Sequence, residues 1–198
     1  ACQFSTIDLN QDGTEDLIVF DRTGGKVSTY INNGTSNQVD YVFAPEYRRD
    51  FDFLHDWALF RDYDNDGKKD IYAYSSGGMA VYRNTSNQVD GIQFEQMTNL
   101  LYSNYNPNLI NLYVSPVDIP TIVDVDGDGD LDVLTFDIFG VNVEYHRNTS
   151  QEDFGHSDSL NYVLDTPCWG DFEESSNAFS VTLILSCKGG SSRPQQNI

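Results

Sequence analysis

Apolar and polar residues alternate along most of the chain in short runs, and the runs come in sets. The alternation is plainest in VSTYIN, MAVYRN and VNVEYHRN, where a period of two sends successive side chains to opposite faces of a strand. A glycine turn precedes each of these, at Gly24 and Gly25, at Gly77 and Gly78, and at Gly140. Before each turn lies a compact apolar run, LIVF, IYAY or VLTF, too short for a helix and rich in β-formers. A first run, CQFSTID, WALFRD or TIVDVD, opens each set, and YVFA, IQFEQ or NYVL closes it after a polar turn (NNGTSNQVD, NTSNQVD or NTSQED). The pattern predicts an all-β chain in which four antiparallel strands recur three times.

Four antiparallel strands repeated at a long period describe the blades of a β-propeller. The predicted organisation is propeller repeats over 1–166, divided at about 1–50, 51–115 and 116–166. Residues 167–198 form an excursion between blades, or a truncated blade with a linker-like tail. In that last part CWGDFEESSNAFSVTLILSC holds one strand, Ser180 to Ser186, and KGGSSRPQQNI reads as linker. About three blades and part of a fourth imply a fragment of a larger propeller. The stretches from Pro45 to Asp56 and from Thr98 to Pro120 read as irregular crossings covered by their own aromatics, Tyr102, Tyr105 and Tyr113 among them.

Between the first two strands of each set sits an acidic nonapeptide: DLNQDGTED from Asp8 to Asp16, DYDNDGKKD from Asp62 to Asp70, and DVDGDGDLD from Asp124 to Asp132. The starts lie 54 and 62 residues apart. All three fit DxDxDGxxD with Asn10 as the one amide. Carboxylates this close repel unless a cation sits among them. Side-chain oxygens at positions 1, 3 and 5, a glycine at 6 and a carbonyl at 7 open a calcium-binding loop. The predicted ligands are Asp8, Asn10, Asp12 and Asp16; Asp62, Asp64, Asp66 and Asp70; and Asp124, Asp126, Asp128 and Asp132. The carbonyls of Thr14, Lys68 and Asp130 complete the three shells, for about three calcium ions. An EF-hand is excluded, since position 12 is Val19, Ala73 or Thr135 in place of a bidentate Glu, and strands, not helices, flank each loop.

The net charge of -20 and a pI near 4.1 argue against nucleic acid as a partner. Twelve Tyr and twelve Phe in 198 residues fit a folded β protein and not an acidic disordered chain. No apolar run is long enough to span a membrane. The chain begins on Ala1 inside a predicted strand, which reads as a processed or excised piece. Of three cysteines, Cys168 and Cys187 read as one disulfide closing a loop of about twenty residues, worth ~3 kcal/mol; a fully reduced set is the alternative. Cys2 is then unpaired or bridged outside the chain. His55, His146 and His156 are scattered, and no nucleophile pairing recurs with the repeat, so no enzyme is predicted. Asn33, Asn84 and Asn148 open NGT, NTS and NTS, which match a glycosylation acceptor and equally a recurring turn.

DxDxDGxxD followed by an apolar strand, a glycine turn and a strand ending in RN resembles the FG-GAP/VCBS repeats of integrin-like β-propellers, over about residues 3 to 166. DIPTIVDVDGDGDLDVLTF, with CWGDFEES and SC, is similar to secreted repeat proteins of Bacteroidetes. The resemblance implies calcium in the loop between the first two strands of each blade, on the ligands already named, with Asn10 weakening the first site. It also implies a secreted or cell-surface scaffold for adhesion or binding, whose partner is an extracellular protein or glycan and whose remaining blades lie outside this chain. Two alternatives stand beside it. A carbohydrate-binding module would use Tyr102, Tyr105, Trp57 and Trp169 as sugar platforms, and a part of a polysaccharide-degrading enzyme would use carboxylates outside the loops.

Overall fold

The computed structural model describes residues 1–175 and 180–184. It is all-β, with several antiparallel sheets, and divides into two compact units, Ala1–Leu101 and Tyr102–Ile198.

The first unit holds two four-stranded meanders. Strands β1 (Cys2–Ile7), β2 (Asp16–Asp21), β3 (Lys26–Asn32) and β4 (Tyr41–Phe43) pair in chain order; so do β5 (Ala58–Arg61), β6 (Asp70–Ser75), β7 (Gly78–Asn84) and β8 (Phe94–Thr98). In β2 the period-two pattern buries Ile18 and Phe20 and leaves Leu17 and Val19 half-covered. In β6 and β7 both faces are covered, so Ile71, Tyr72, Ala73 and Met79, Ala80, Val81 are all buried. One core joins the two sheets, built from Ile7, Ile18, Phe20, Val27, Ala58, Phe60, Ile71 and Ala73. The first strands lie side by side: the Gln3 amide donates to the Ala58 carbonyl (2.9 Å) and accepts the Ala58 N–H (3.1 Å).

The crossing between these sheets is ordered. Pro45–Phe51 forms a 3-10 helix with Pro at its start, where a missing N–H costs nothing. It drives Phe51, followed by Leu54, fully into the shared core.

In the second unit β9 (Tyr102–Asn104), β10 (Leu109–Asn111), β11 (Thr121–Val123), β12 (Asp132–Phe136), β13 (Val143–Asn148) and β14 (Tyr162–Thr166) make a six-stranded sheet ordered β10-β9-β14-β13-β12-β11. The expected irregular crossing from Thr98 to Pro120 is therefore corrected, because it supplies two strands. β9 pairs in parallel with β14 through Tyr162 and Val163, satisfying an outer edge whose N–H and C=O groups would otherwise stay open. A one-turn helix, α1 (Ser150–Phe154), replaces the third polar turn and ends on Gly155 with φ 75°. Farther on, β15 (Phe172–Glu174) and β16 (Val181–Leu183) form a hairpin where one strand was expected.

The repeats match in detail. β7–β8 and β13–β14 carry a register shift at the same place, between Val81 and Tyr82 and between Tyr145 and His146. Cys2 is free and exposed. The predicted Cys168–Cys187 bridge falls on Cys187, outside the described residues.

Candidate metal centres

Each acidic nonapeptide connects the first two strands of a meander, β1–β2, β5–β6 or β11–β12. The sequence folds these turns by having short carboxylates accept nearby N–H groups, as Asp and Asn do in turns. In the first loop Asp8 takes the N–H groups of Asp12 (3.1 Å) and Gly13 (2.8 Å). In the second Asp62 takes those of Asp66 (3.2 Å) and Gly67 (2.9 Å). In the third Asp124 takes those of Gly127 (2.6 Å) and Gly129 (3.1 Å). Thr14, Lys68 and Asp130 donate their N–H to Asp12, Asp66 and Asp128 at 2.7, 2.8 and 3.0 Å. The position-6 glycines Gly13, Gly67 and Gly129 sit at φ 85°, 89° and 98°, a region costly for any other residue.

The ninth residue has a second task. Asp16, Asp70 and Asp132 have no exposed surface. One oxygen of each accepts the N–H of the loop's second residue, Leu9, Tyr63 or Val125, at 2.8 to 2.9 Å. The other accepts the N–H of Asn32, Asn84 or Asn148 at the end of the third strand, at 2.7 to 2.8 Å. This carboxylate thus locks the loop to the strand two places away. Sequence reasoning missed the partner asparagine, whose signal was its recurrence at the end of RN and YIN. Asn84 and Asn148 are buried; their side chains accept the N–H of Ser86 and Ser150 and donate to the carbonyls of Lys69 and Ser159. The recurring Asn is therefore a turn residue. Its counterpart in the first repeat is Asn32, beside the motif's Asn33, and it donates likewise to Glu15 and accepts from Gly34.

The donor sets fit a hard divalent cation, for which carboxylate and amide oxygens are the preferred ligands. Carboxylate oxygens of Asp62, Asp64 and Asp66 lie within 4.8 Å of one another, as do those of Asp124, Asp126 and Asp132. Asp70 belongs to no such group. In the first loop Asn10 spends its amide N–H on Asp12 (2.9 Å). Asp128 groups with Asp126 and with Glu152 of α1, a residue sequence reasoning did not reach. Asp128 and Asp130 each keep one buried oxygen without a hydrogen bond.

Without a cation these carboxylates sit uneasily. Burial, with the neighbouring charges of Asp64 and Asp66 adding to it, pushes Asp70 up to about 7. Burial pushes Asp130 and Asp132 up to about 6, again with neighbouring aspartates contributing. Asp16, Asp62 and Asp126 move the same way for the same first reason. Asp12, by contrast, is held low, by the Asn10 amide and the Thr14 N–H.

Arginines differ between the loops. Arg83 pairs with Asp64 at 2.5 Å. Arg147, at the matching place in the third repeat, pairs instead with Glu152, and the first repeat has Ile31 there.

Outside the loops the structure gathers Ser103, Glu144, His146 and Tyr105. His146 Nδ1 lies 2.9 Å from Ser103 Oγ, and its Nε2 lies 3.2 Å from the Glu144 oxygen that also accepts the Tyr105 hydroxyl (3.0 Å). Ser103 and His146 have no exposed surface. The group fastens β9 to β13. His55 and His156 are exposed beside Asp56 and Asp158. Of the predicted sugar platforms, Trp57 is fully buried and Tyr105 is held in the His146 cluster, whereas Tyr102 and Trp169 keep exposed faces. Among the described residues no helix is long and apolar enough to cross a membrane.

Residues 62–135 match a family model described as an FG-GAP-like repeat, which spans the second and third acidic loops. No curated protein matches the chain.

Proposed function

We propose that this chain is a calcium-stabilised, extracellular FG-GAP-repeat scaffold, built as blades of a larger propeller of the secreted Bacteroidetes type. Its task is adhesion or the binding of a protein or glycan, without chemistry of its own. The observation that carries the reading is the threefold recurrence of one loop frame. In each, the first carboxylate accepts loop N–H groups and the ninth bridges loop to third strand, and in the second and third loops the acidic oxygens left over converge. Calcium there would neutralise a loop that repels itself, so its role is structural and binding couples to folding. The ions would be held by the twelve side chains and three carbonyls named from the sequence.

The FG-GAP-like match supports an extracellular setting, as such repeats are typical of extracellular proteins. The inaccessible Ser103 and His146 support the non-catalytic reading. The burial of Trp57 takes from the sugar-binding alternative one of its platforms.

The test is a calorimetric titration with calcium chloride, paired with thermal melts in calcium, magnesium and chelator. Extracellular calcium modules bind at about 10⁻⁴ to 10⁻³ M, so at ten times that concentration each site adds about 1.4 kcal/mol. Three sites then raise the melt by about 10 °C for a chain of this size. About three ions and a rise specific to calcium support the reading. No binding, or a melt indifferent to chelator, refutes it.

A further inference from the structure

The third loop differs from the other two by what stands beside it. α1 begins on Ser150, two residues after the Asn148 that Asp132 holds, and places Glu152 beside the loop. Carboxylate oxygens of Glu152, Asp126 and Asp128 lie within 4.8 Å of one another. The helix is tied down independently, because the Gln151 N–H donates to Asp130 at 3.0 Å. Asp130 has no exposed surface; its other oxygen takes no hydrogen bond, and its charged neighbours are Asp128, Asp132 and Asp126. The buried Asp128 oxygen is likewise without a hydrogen bond. Buried carboxylate oxygens are expensive to leave without a positive partner, and two such atoms flanking a three-carboxylate group call for a cation.

An arginine stands beside both the second and the third loop. In the second loop the guanidinium of Arg83 already occupies Asp64, a position-3 ligand, so an incoming ion must displace it. In the third, Arg147 is drawn to Glu152, at the rim, and to Asp165 at 3.9 Å. Arg147 also lies close enough to act on Asp126, so an incoming ion must displace it from Glu152 just as it must displace Arg83 from Asp64, and what separates the two loops is the added carboxylate. The first loop has Ile31 where the other two have an arginine, and its third position is the amide Asn10.

We infer that Glu152 is a ligand of the third loop's cation, delivered from outside the nonapeptide, and that it makes this loop the tightest of the three and the first to load. The inference rests on the reading of the loops as calcium sites. Affinity in oxygen-ligated calcium sites scales with the number of charged ligands over several decades, so one added carboxylate corresponds to about tenfold.

The experiment is calcium chloride titration of the full chain by calorimetry, with amide exchange at Gln151–Phe154 followed alongside, for the unaltered protein and for Glu152→Gln, Asp165→Asn and Glu152→Gln/Arg147→Met. Glu152 is a partly exposed side chain, so its replacement leaves the fold in place. The expected result is one site about tenfold tighter than the rest, whose filling slows exchange in α1. Glu152→Gln should abolish both the tighter class and the slowing, and Asp165→Asn should change neither. A tight class that survives Glu152→Gln within twofold overturns the inference and leaves the loops as calcium sites. Recovery of tight binding in the double variant also overturns it, since a freed Arg147 would then be the cause. No calcium uptake by the unaltered protein overturns the loop reading itself, and the inference with it.

Discussion

Asp132→Asn separates the two tasks given to the ninth loop position. In the folded chain one Asp132 oxygen accepts the Val125 N–H (2.8 Å) and the Tyr145 hydroxyl (3.1 Å), and the other accepts the Asn148 N–H (2.8 Å). An amide offers a single acceptor, so whichever way it turns, one buried N–H faces an NH₂ group. That costs about 1 to 3 kcal/mol. Against this, burial raises the Asp132 carboxyl to about 6, so at neutral pH keeping it ionised without a cation costs about 3 kcal/mol relative to the unfolded chain. In chelator the two effects nearly offset, and the variant should melt within about 3 °C of the unaltered protein. In saturating calcium the ion already compensates the charge. Only the lost hydrogen bond and about tenfold weaker binding remain, together about 3 kcal/mol, or about 10 °C. Thermal melts of both proteins in both media measure the difference. An equal drop in calcium and in chelator would refute a ligand role and leave Asp132 as a structural lock alone.

Other consequences are as direct. In chelator, the raised carboxyls of Asp70 (about 7), Asp130 and Asp132 (about 6) mean that the folded chain holds protons the unfolded chain has released. Stability should therefore fall as pH rises from about 4 to 7, and urea midpoints that climb over that window would contradict the assignment. Asn148→Ala removes acceptors for the Ser150 N–H and hydroxyl and the donor to Ser159; a loss of about 3 kcal/mol is expected by urea denaturation, and a near-neutral result would sink the turn role. Ser103→Ala leaves His146 Nδ1 without its partner in the interior. It should cost about 2 kcal/mol and speed amide exchange in Tyr102–Asn104 ahead of β12 and β13; uniform exchange across the sheet would mean that the cluster does not hold β9.

The primary sequence by itself determined the strands and the loops, because both are local. Alternation in VSTYIN, MAVYRN and VNVEYHRN fixes which side chains share a face, and DxDxDGxxD supplies its own turn through Asp-to-N–H bonds a few residues apart. Twelve side chains and three glycine-bearing turns could thus be named before any fold was known. What only the tertiary structure decided depends on residues far apart in the chain. Whether Thr98 to Pro120 is loop or strand rests on the free edge of β14, about sixty residues after β9, and a tripeptide such as Tyr102–Asn104 carries no periodicity to reveal it. The lock between Asp70 and Asn84 exists because a meander brings the end of the third strand back to the first turn. Trp57 reads in sequence as a possible platform and lies in the interior, since burial belongs to the packing and not to the residue. Glu152 looks like any acidic turn residue until α1 sets its carboxylate beside Asp126 and Asp128, which lie more than twenty positions away; electrostatic partnership across that distance is set by the fold.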